Sequence, residues 1–293
     1  MKIGFFAIGI GPSADPEIIA LTARTAEQAG FHSLWAPEHV VLIEQYASQY
    51  PYSKDGKLPM PTTVDILDPF AALTFAAAHT KTLRLGTGIC LVPERNPVVT
   101  AKEVASLDRL SGGRFDFGVG VGWLAEEFTA VGVPWERRAQ RTREYLKAMQ
   151  LLWTEDEPEF TGEFCSFPKV RLYPKPVQKP YPPILFGGES TPALKRVGEV
   201  GDGWFGVNVT VEDAQAKIAR IRQYAQAAGR DAGKLHFAVS PGLGMPVEID
   251  TIKRYRDVGV DQVVVGAIPR DPKGIKGEIE RLAEKLVVPA AKL

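Results

Sequence analysis

His39 is the side chain best placed for proton chemistry. It follows Glu38 in the segment WAPEH, directly after the apolar run Ser33–Ala36. An imidazole titrates near neutrality, so it accepts a proton in one state and donates one in the other. A histidine that merely packs a loop is the competing reading, and packing is the expected role of His32, His79 and His236.

The second group is made of glycines. Gly86, Gly88, Gly118, Gly120 and Gly122 stand at the ends of two apolar runs, Leu83–Ile89 and Arg114–Val119. Glycine lets a backbone approach a flat ring or take positive φ, so a wall for a planar ligand and a set of sharp corners both fit. The segment GVGVGW superficially offers a dinucleotide fingerprint. Its third glycine comes one place early and it does not open a first βαβ turn, so that reading is rejected.

The third group is Gly187, Gly188, Glu189 and Ser190, which precede a helical pattern beginning at Thr191. Free N–H groups at a helix start attract anions, and two glycines let a phosphate come close. Glu189 would have to point away, and an ordinary capped turn is the alternative. Glu126-Glu127 and the group Arg137, Arg138, Arg141 and Arg143 read as a solvated helix face, or as guanidinium groups that meet an anionic tail. Trp35, Trp123 and Trp204 fall at strand ends, where they pack a core or wall a pocket.

These residues need a scaffold that gathers strand ends. Strand-like runs fall near Lys2–Ala7, Ser33–Ala36, Leu83–Ile89, Arg114–Val119, Pro183–Phe186, Gly203–Val207, Leu235–Val239 and Gln262–Val265. Helical patterns follow them near Asp15–Gly30, Asp68–His79, Pro97–Leu110, Glu136–Trp153, Thr191–Val200, Val211–Ala228, Glu248–Val258 and Ile275–Leu286. The alternation predicts an α/β fold, a single (β/α)8 TIM barrel over residues 1–293, whose strand C-termini face the active site. Two segments are surplus to a minimal barrel: 40–67 after the second strand and 154–182 before the fifth.

Composition narrows the partners. With 293 residues, 45% hydrophobic, and 35 basic against 35 acidic side chains, the chain shows no like-charge block suited to nucleic acid or a membrane surface. A small-molecule substrate is the expectation. Cys90 and Cys165 have no CxxC partner, so neither a disulfide framework nor a metal site is expected, and a cytoplasmic location fits. No export signal is visible at the N-terminus, and the apolar runs fall short of a membrane span.

The segments LGTGI (85–89), AKEVASLDRLSGGR (101–114) and GVGVGW (118–123) resemble the luciferase-like monooxygenase superfamily. WAPEH, RTREYLKAMQLLW, PPILFGGES and GDGWFGVNV extend the resemblance over nearly the whole chain, and its nearest branch is the one that uses the deazaflavin coenzyme F420. The resemblance implies hydride transfer between that cofactor and a small organic substrate, with His39 handling the proton. It places Gly88 and Ile89 at a bulge with a non-proline cis peptide behind the ring, with Gly120 and Gly122 nearby and Gly187, Gly188, Glu189 and Ser190 at the cofactor phosphate. It also implies extra strands within 154–182 and a homodimer. An FMN-dependent monooxygenase using reduced flavin and oxygen is the first alternative, and a non-catalytic flavin-binding barrel the second. Trp123 stands where the deazaflavin sugar-phosphate dehydrogenases of this superfamily carry a glutamate, which argues against a sugar-phosphate substrate.

Overall fold

Eight short apolar strands form the staves of a closed parallel barrel in the computed structural model, which describes residues 1–6, 8–242, 245–266 and 271–293. They are β1 (Lys2–Phe6), β2 (Ser33–Ala36), β3 (Arg84–Thr87, resuming at Cys90–Leu91), β4 (Phe115–Gly120), β5 (Ile184–Gly187), β6 (Gly203–Val207), β7 (His236–Ser240) and β8 (Gln262–Gly266). Neighbours run β3-β2-β1-β8-β7-β6-β5-β4, and β4 pairs back onto β3 through Leu85–Phe115 and Gly86–Asp116, which closes the ring. Ala7, expected in the first strand, lies outside the described residues.

Between the strands run α1 (Pro16–Gln28), α2 (Pro69–Ala78), α3 (Pro97–Ser111), α4 (Arg138–Thr154), α5 (Thr191–Val200), α6 (Val211–Ala227), α7 (Ile249–Asp257) and α8 (Pro272–Leu282). Their starts are written locally. Asp15, Asp68, Asn96, Ser190 and Thr210 accept backbone N–H groups of the first turn, and proline opens α1, α2 and α3. Gly112 ends α3 at φ 69, a conformation that suits glycine.

Parallel strands bury both faces. Inside the barrel Trp35, Leu185, Phe205, Ala238 and Val264 form a plug, with Trp35 stacked on Phe205 at 4.6 Å between centroids. Gly86 makes room for it, since a Cβ there would lie 2.4 Å from the Trp35 ring. A larger apolar layer packs the helices against the outside of the sheet. Among the described residues, no helix is long and apolar enough to cross a membrane.

Both surplus segments stand where expected. Segment 154–182 carries a small hairpin, Phe160–Thr161 with Ser166–Phe167, held to α4 by Glu144, which accepts the N–H groups of Glu163, Phe164 and Cys165. Two elements differ from the sequence expectation. A short helix, Ala125–Ala130, lies between β4 and α4, fenced by Gly122 and Gly132 at φ 77 and 74. The last helix begins earlier, at Pro272, and after Leu282 widens into a π turn over Ala283–Val287. Pro289 has no N–H to give the Lys285 carbonyl and would crowd it in a regular helix, and the wider turn relieves that contact.

Candidate active site

Because all eight strands run one way, their C-terminal ends share a rim, and the candidate residues converge there. Glu38 and His39 leave β2 in opposite roles. Glu38 is buried and accepts the Leu91 N–H and the Arg95 Nε (2.6 Å), which ties the end of β2 to the second half of β3. Arg95 is itself shared among Glu38, Asp68 and Glu103. Glu38 is therefore a structural anchor, and His39 is free to face the rim.

His39 Nδ1 lies 2.7 Å from Glu127 Oε2. Glu127 Oε1 accepts the N–H groups of Val40 (2.6 Å) and Val41 (3.2 Å). With acceptors engaged on both oxygens, Glu127 has the bonding pattern of a carboxylate, and it fixes the imidazole with Nδ1 as donor. Among the described residues, His39 Nε2 has no partner. The ring edge also meets Trp123 at 6.0 Å. The solvated face expected for Glu126-Glu127 is thus corrected: Glu127 is fully buried, because the short helix turns it inward beside Phe128, while Glu126 binds Ala47 and Ser48 of the 40–67 arm.

The peptide bond between Gly88 and Ile89 is cis, and it interrupts β3. The bulge sends Ile89 across the rim. A Cβ on Gly120 would lie 1.9 Å from Ile89 Cδ1, one on Gly187 3.0 Å from the same atom, and one on Gly118 1.8 Å from the Thr87 carbonyl oxygen. These glycines therefore make room for the bulge itself, a use that the ring-wall reading did not contain. Gly122, at φ 77, leaves a hollow shared by the Phe128 ring and Glu94 Oε1.

At the fifth strand, Gly188 takes φ 98 and its carbonyl accepts Trp204 Nε1 (3.0 Å), while Ser190 caps α5. Glu189 turns away from the helix start: Oε1 accepts the Val207 N–H (2.9 Å) and Oε2 the Tyr52 hydroxyl (3.0 Å). Burial pushes the Glu189 carboxyl and the Tyr52 phenol upward from their ordinary values. Tyr46 and Tyr50, from the same arm, set their ring edges against Trp123 at 5.7 and 5.1 Å, so the arm roofs part of the mouth.

The arginines separate. Arg137 pairs with Glu163 and Arg143 with Glu199 at the surface, and Arg141 is buried on the Pro134 and Glu136 carbonyls. Arg138 lies over Trp135 and reaches the Gly122 carbonyl. Arg196 of α5, absent from the sequence reading, is buried with no partner on Nε among the described residues. Burial, then the Arg143 and Arg138 charges, lower its proton affinity. A buried guanidinium with no ion pair among the described residues calls for an anion. Glu94, Glu127, Arg196 and Tyr52 carry no local sequence signal for these roles, because each depends on contacts far away in the chain. His32 and His236, at the opposite end of the strands, are half-buried, and partial burial pulls His32 down to about 4. His79 meets Arg24 outside the barrel.

The model of the luciferase-like monooxygenase family matches residues 3–243. The chain belongs to this family. Over 268 residues this luciferase-like chain is 37% identical to an uncharacterised protein of Mycobacterium tuberculosis, covering 91% of this chain and 93% of that one. It is 33% identical over 189 residues to an FMNH2-dependent dimethylsulfone monooxygenase of Pseudomonas putida, covering 63% of this chain and 50% of the relative. Its fold superposes on an F420-dependent secondary alcohol dehydrogenase, solved with an F420-acetone adduct, at a TM-score of 0.79, 20% identity and 98% coverage of both chains. The luciferase-like protein is an oxidoreductase on this family evidence.

Proposed function

We propose that this luciferase-like oxidoreductase transfers a hydride between coenzyme F420 and a small organic substrate, with His39 giving or taking the accompanying proton. The observation that carries the reading is the His39–Glu127 pair: Nδ1 is committed to a buried carboxylate, and Nε2 is left to meet a substrate oxygen. The imidazolium formed when Nε2 takes a proton is stabilised by Glu127, and the neutral ring is left with its remaining hydrogen on Nδ1. Trp123, Tyr46 and Tyr50 shield this proton from bulk water.

The residues present fit a phosphate-bearing cofactor. Arg196 and Arg138 supply uncompensated positive charge, and Gly187, Gly188 and Ser190 supply a close backbone approach at the start of α5. Glu189 would contribute through its backbone, its carboxylate being held by Tyr52 and Val207. Gly88, Ile89, Gly120 and Gly122 would stand behind and beside the ring. When bound, the deazaflavin supplies the carbon centre that accepts or releases the hydride.

The motifs LGTGI, GVGVGW and GGES support the deazaflavin. The FMNH2-dependent relative favours a second reading, an oxygen-using FMN monooxygenase served by a reductase. The test follows cofactor absorbance while a panel of secondary alcohols and ketones is offered with oxidised or reduced F420. Substrate-dependent redox change that is lost in His39→Ala supports the proposal. Oxygen uptake with reduced FMN, and no F420 turnover, would transfer the protein to the second reading. We also propose a two-fold dimer, supported by exposed Phe75 on α2 and Val98 and Val99 on α3.

A further inference from the structure

Three buried acidic side chains lie in the segments that follow β2, β3 and β4, and only two of them are compensated. Glu38 is paired with Arg95, and Glu127 with His39 and two backbone N–H groups. The third is Glu94, in the turn that follows β3. It is 8% exposed, and both its carboxyl oxygens are buried without a hydrogen-bond partner among the described residues. Its Oε1 occupies the hollow over Gly122 next to Phe128, the residue after Glu127. The nearest cation, Arg95, is taken up by Glu38, Asp68 and Glu103.

Two carboxylates in one dry pocket do not both ionise, and the proton goes to the one with fewer donors. Glu127 has three donors and Glu94 none. We propose that Glu94 is a positioning residue for proton transfer at His39: as a neutral carboxylic acid buried beside Glu127, it leaves Glu127 the single anion facing the imidazole and so fixes the ring's charge and orientation. Burial, followed by the Glu127 and Glu38 charges, pushes the Glu94 carboxyl up to about 9, in the same sense. Above that pH a second negative charge enters the pocket and repels the Glu127 carboxylate that holds the imidazole. The consequence for turnover rests on the proposed role of His39, whereas the charge assignment does not.

The test uses the full chain without cofactor or substrate, so its outcome is independent of which cofactor the enzyme takes. Infrared spectroscopy should show a protonated-carboxyl band that persists at neutral pH and titrates away near the alkaline value, is lost in Glu94→Gln and is kept in Glu127→Gln. Imidazole NMR at neutral pH should give Glu94→Gln the His39 ring signals of the wild type, because the replacement is also uncharged, and the variant should lack the alkaline drift that ionisation of Glu94 causes in the wild type. Absence of the band from the wild type at pH 7, its survival in Glu94→Gln, or His39 ring signals that change in Glu94→Gln at neutral pH would overturn the assignment. If Glu94→Gln fails to fold, the conservative Glu94→Asp decides: a band that shifts belongs to Glu94, and a band that does not shift overturns the assignment.

Discussion

Glu127 holds His39 with one carboxylate oxygen, 2.7 Å from Nδ1, and the root of the 40–67 arm with the other, through the N–H groups of Val40 and Val41. The short helix after β4 thereby joins the proposed proton-transfer group to the segment that roofs it. Removing the imidazole should therefore cost more than removing its support. His39→Ala is expected to lower turnover by about 10²-fold or more with cofactor affinity changed less. Glu127→Gln is expected to lower turnover by about 10-fold and to raise arm mobility, read as faster hydrogen exchange of Val40 and Val41. Equal turnover of the His39→Ala variant and the wild type would end the proposed role.

Glu94 makes a pH-dependent contribution to stability whose sign is fixed by its raised proton affinity, from 4.5 to about 9. Between those values the folded chain binds a proton that the unfolded chain has released, so stability falls as pH rises through the window. Glu94→Gln removes this dependence. Its stability relative to wild type should improve from pH 5 to pH 8 by on the order of 2–4 kcal/mol, measured by urea denaturation at both pH values. An unchanged difference over the same interval would show that Glu94 is charged in the fold.

Arg196 should trade stability for binding. Arg196→Met removes a buried, uncompensated charge, so the cofactor-free protein should gain about 1–3 kcal/mol, while cofactor affinity should fall by about 10-fold or more. Thermal shifts with and without cofactor separate the two effects. A variant that loses stability and binds as before would remove Arg196 from the phosphate site.

The sequence makes the barrel legible because its periodicities are local: β2 and β6 have the expected bounds, and the caps of α1, α2 and α3 are side chains followed by proline. His39 is legible by its position after a strand. Its partner is not, since Glu127 is 88 residues away and reads like any exposed acidic pair. The glycines illustrate the same limit. Composition marks Gly118 and Gly120 as places of close approach, and only the fold shows that the approaching groups are the Thr87 carbonyl and Ile89.

That distinction is measurable. Gly118→Ala places a Cβ 1.8 Å from a backbone oxygen, and should cost about 3 kcal/mol or more because β3 and β4 must separate. Gly112→Ala meets nothing within 4 Å and bears only the strain of φ 69, about 1 kcal/mol. Denaturation midpoints for the two variants give the comparison, and equal losses would contradict the packing role of Gly118.

The central claim is that the oxidoreductase uses the deazaflavin. The two cofactors share a phosphate-bearing tail, so the proposed Arg138, Arg196 and α5 site would serve either, and only the ring region would separate them. Parallel titration of the purified protein with F420 and with FMN, following quenching of its tryptophans, tests this directly, because Trp123 borders His39 at the mouth. Micromolar binding of F420, with FMN binding weaker by about 1.4 kcal/mol or more, a factor of ten, is the expected result. The opposite preference, with FMN bound at least tenfold more tightly than F420, would contradict it.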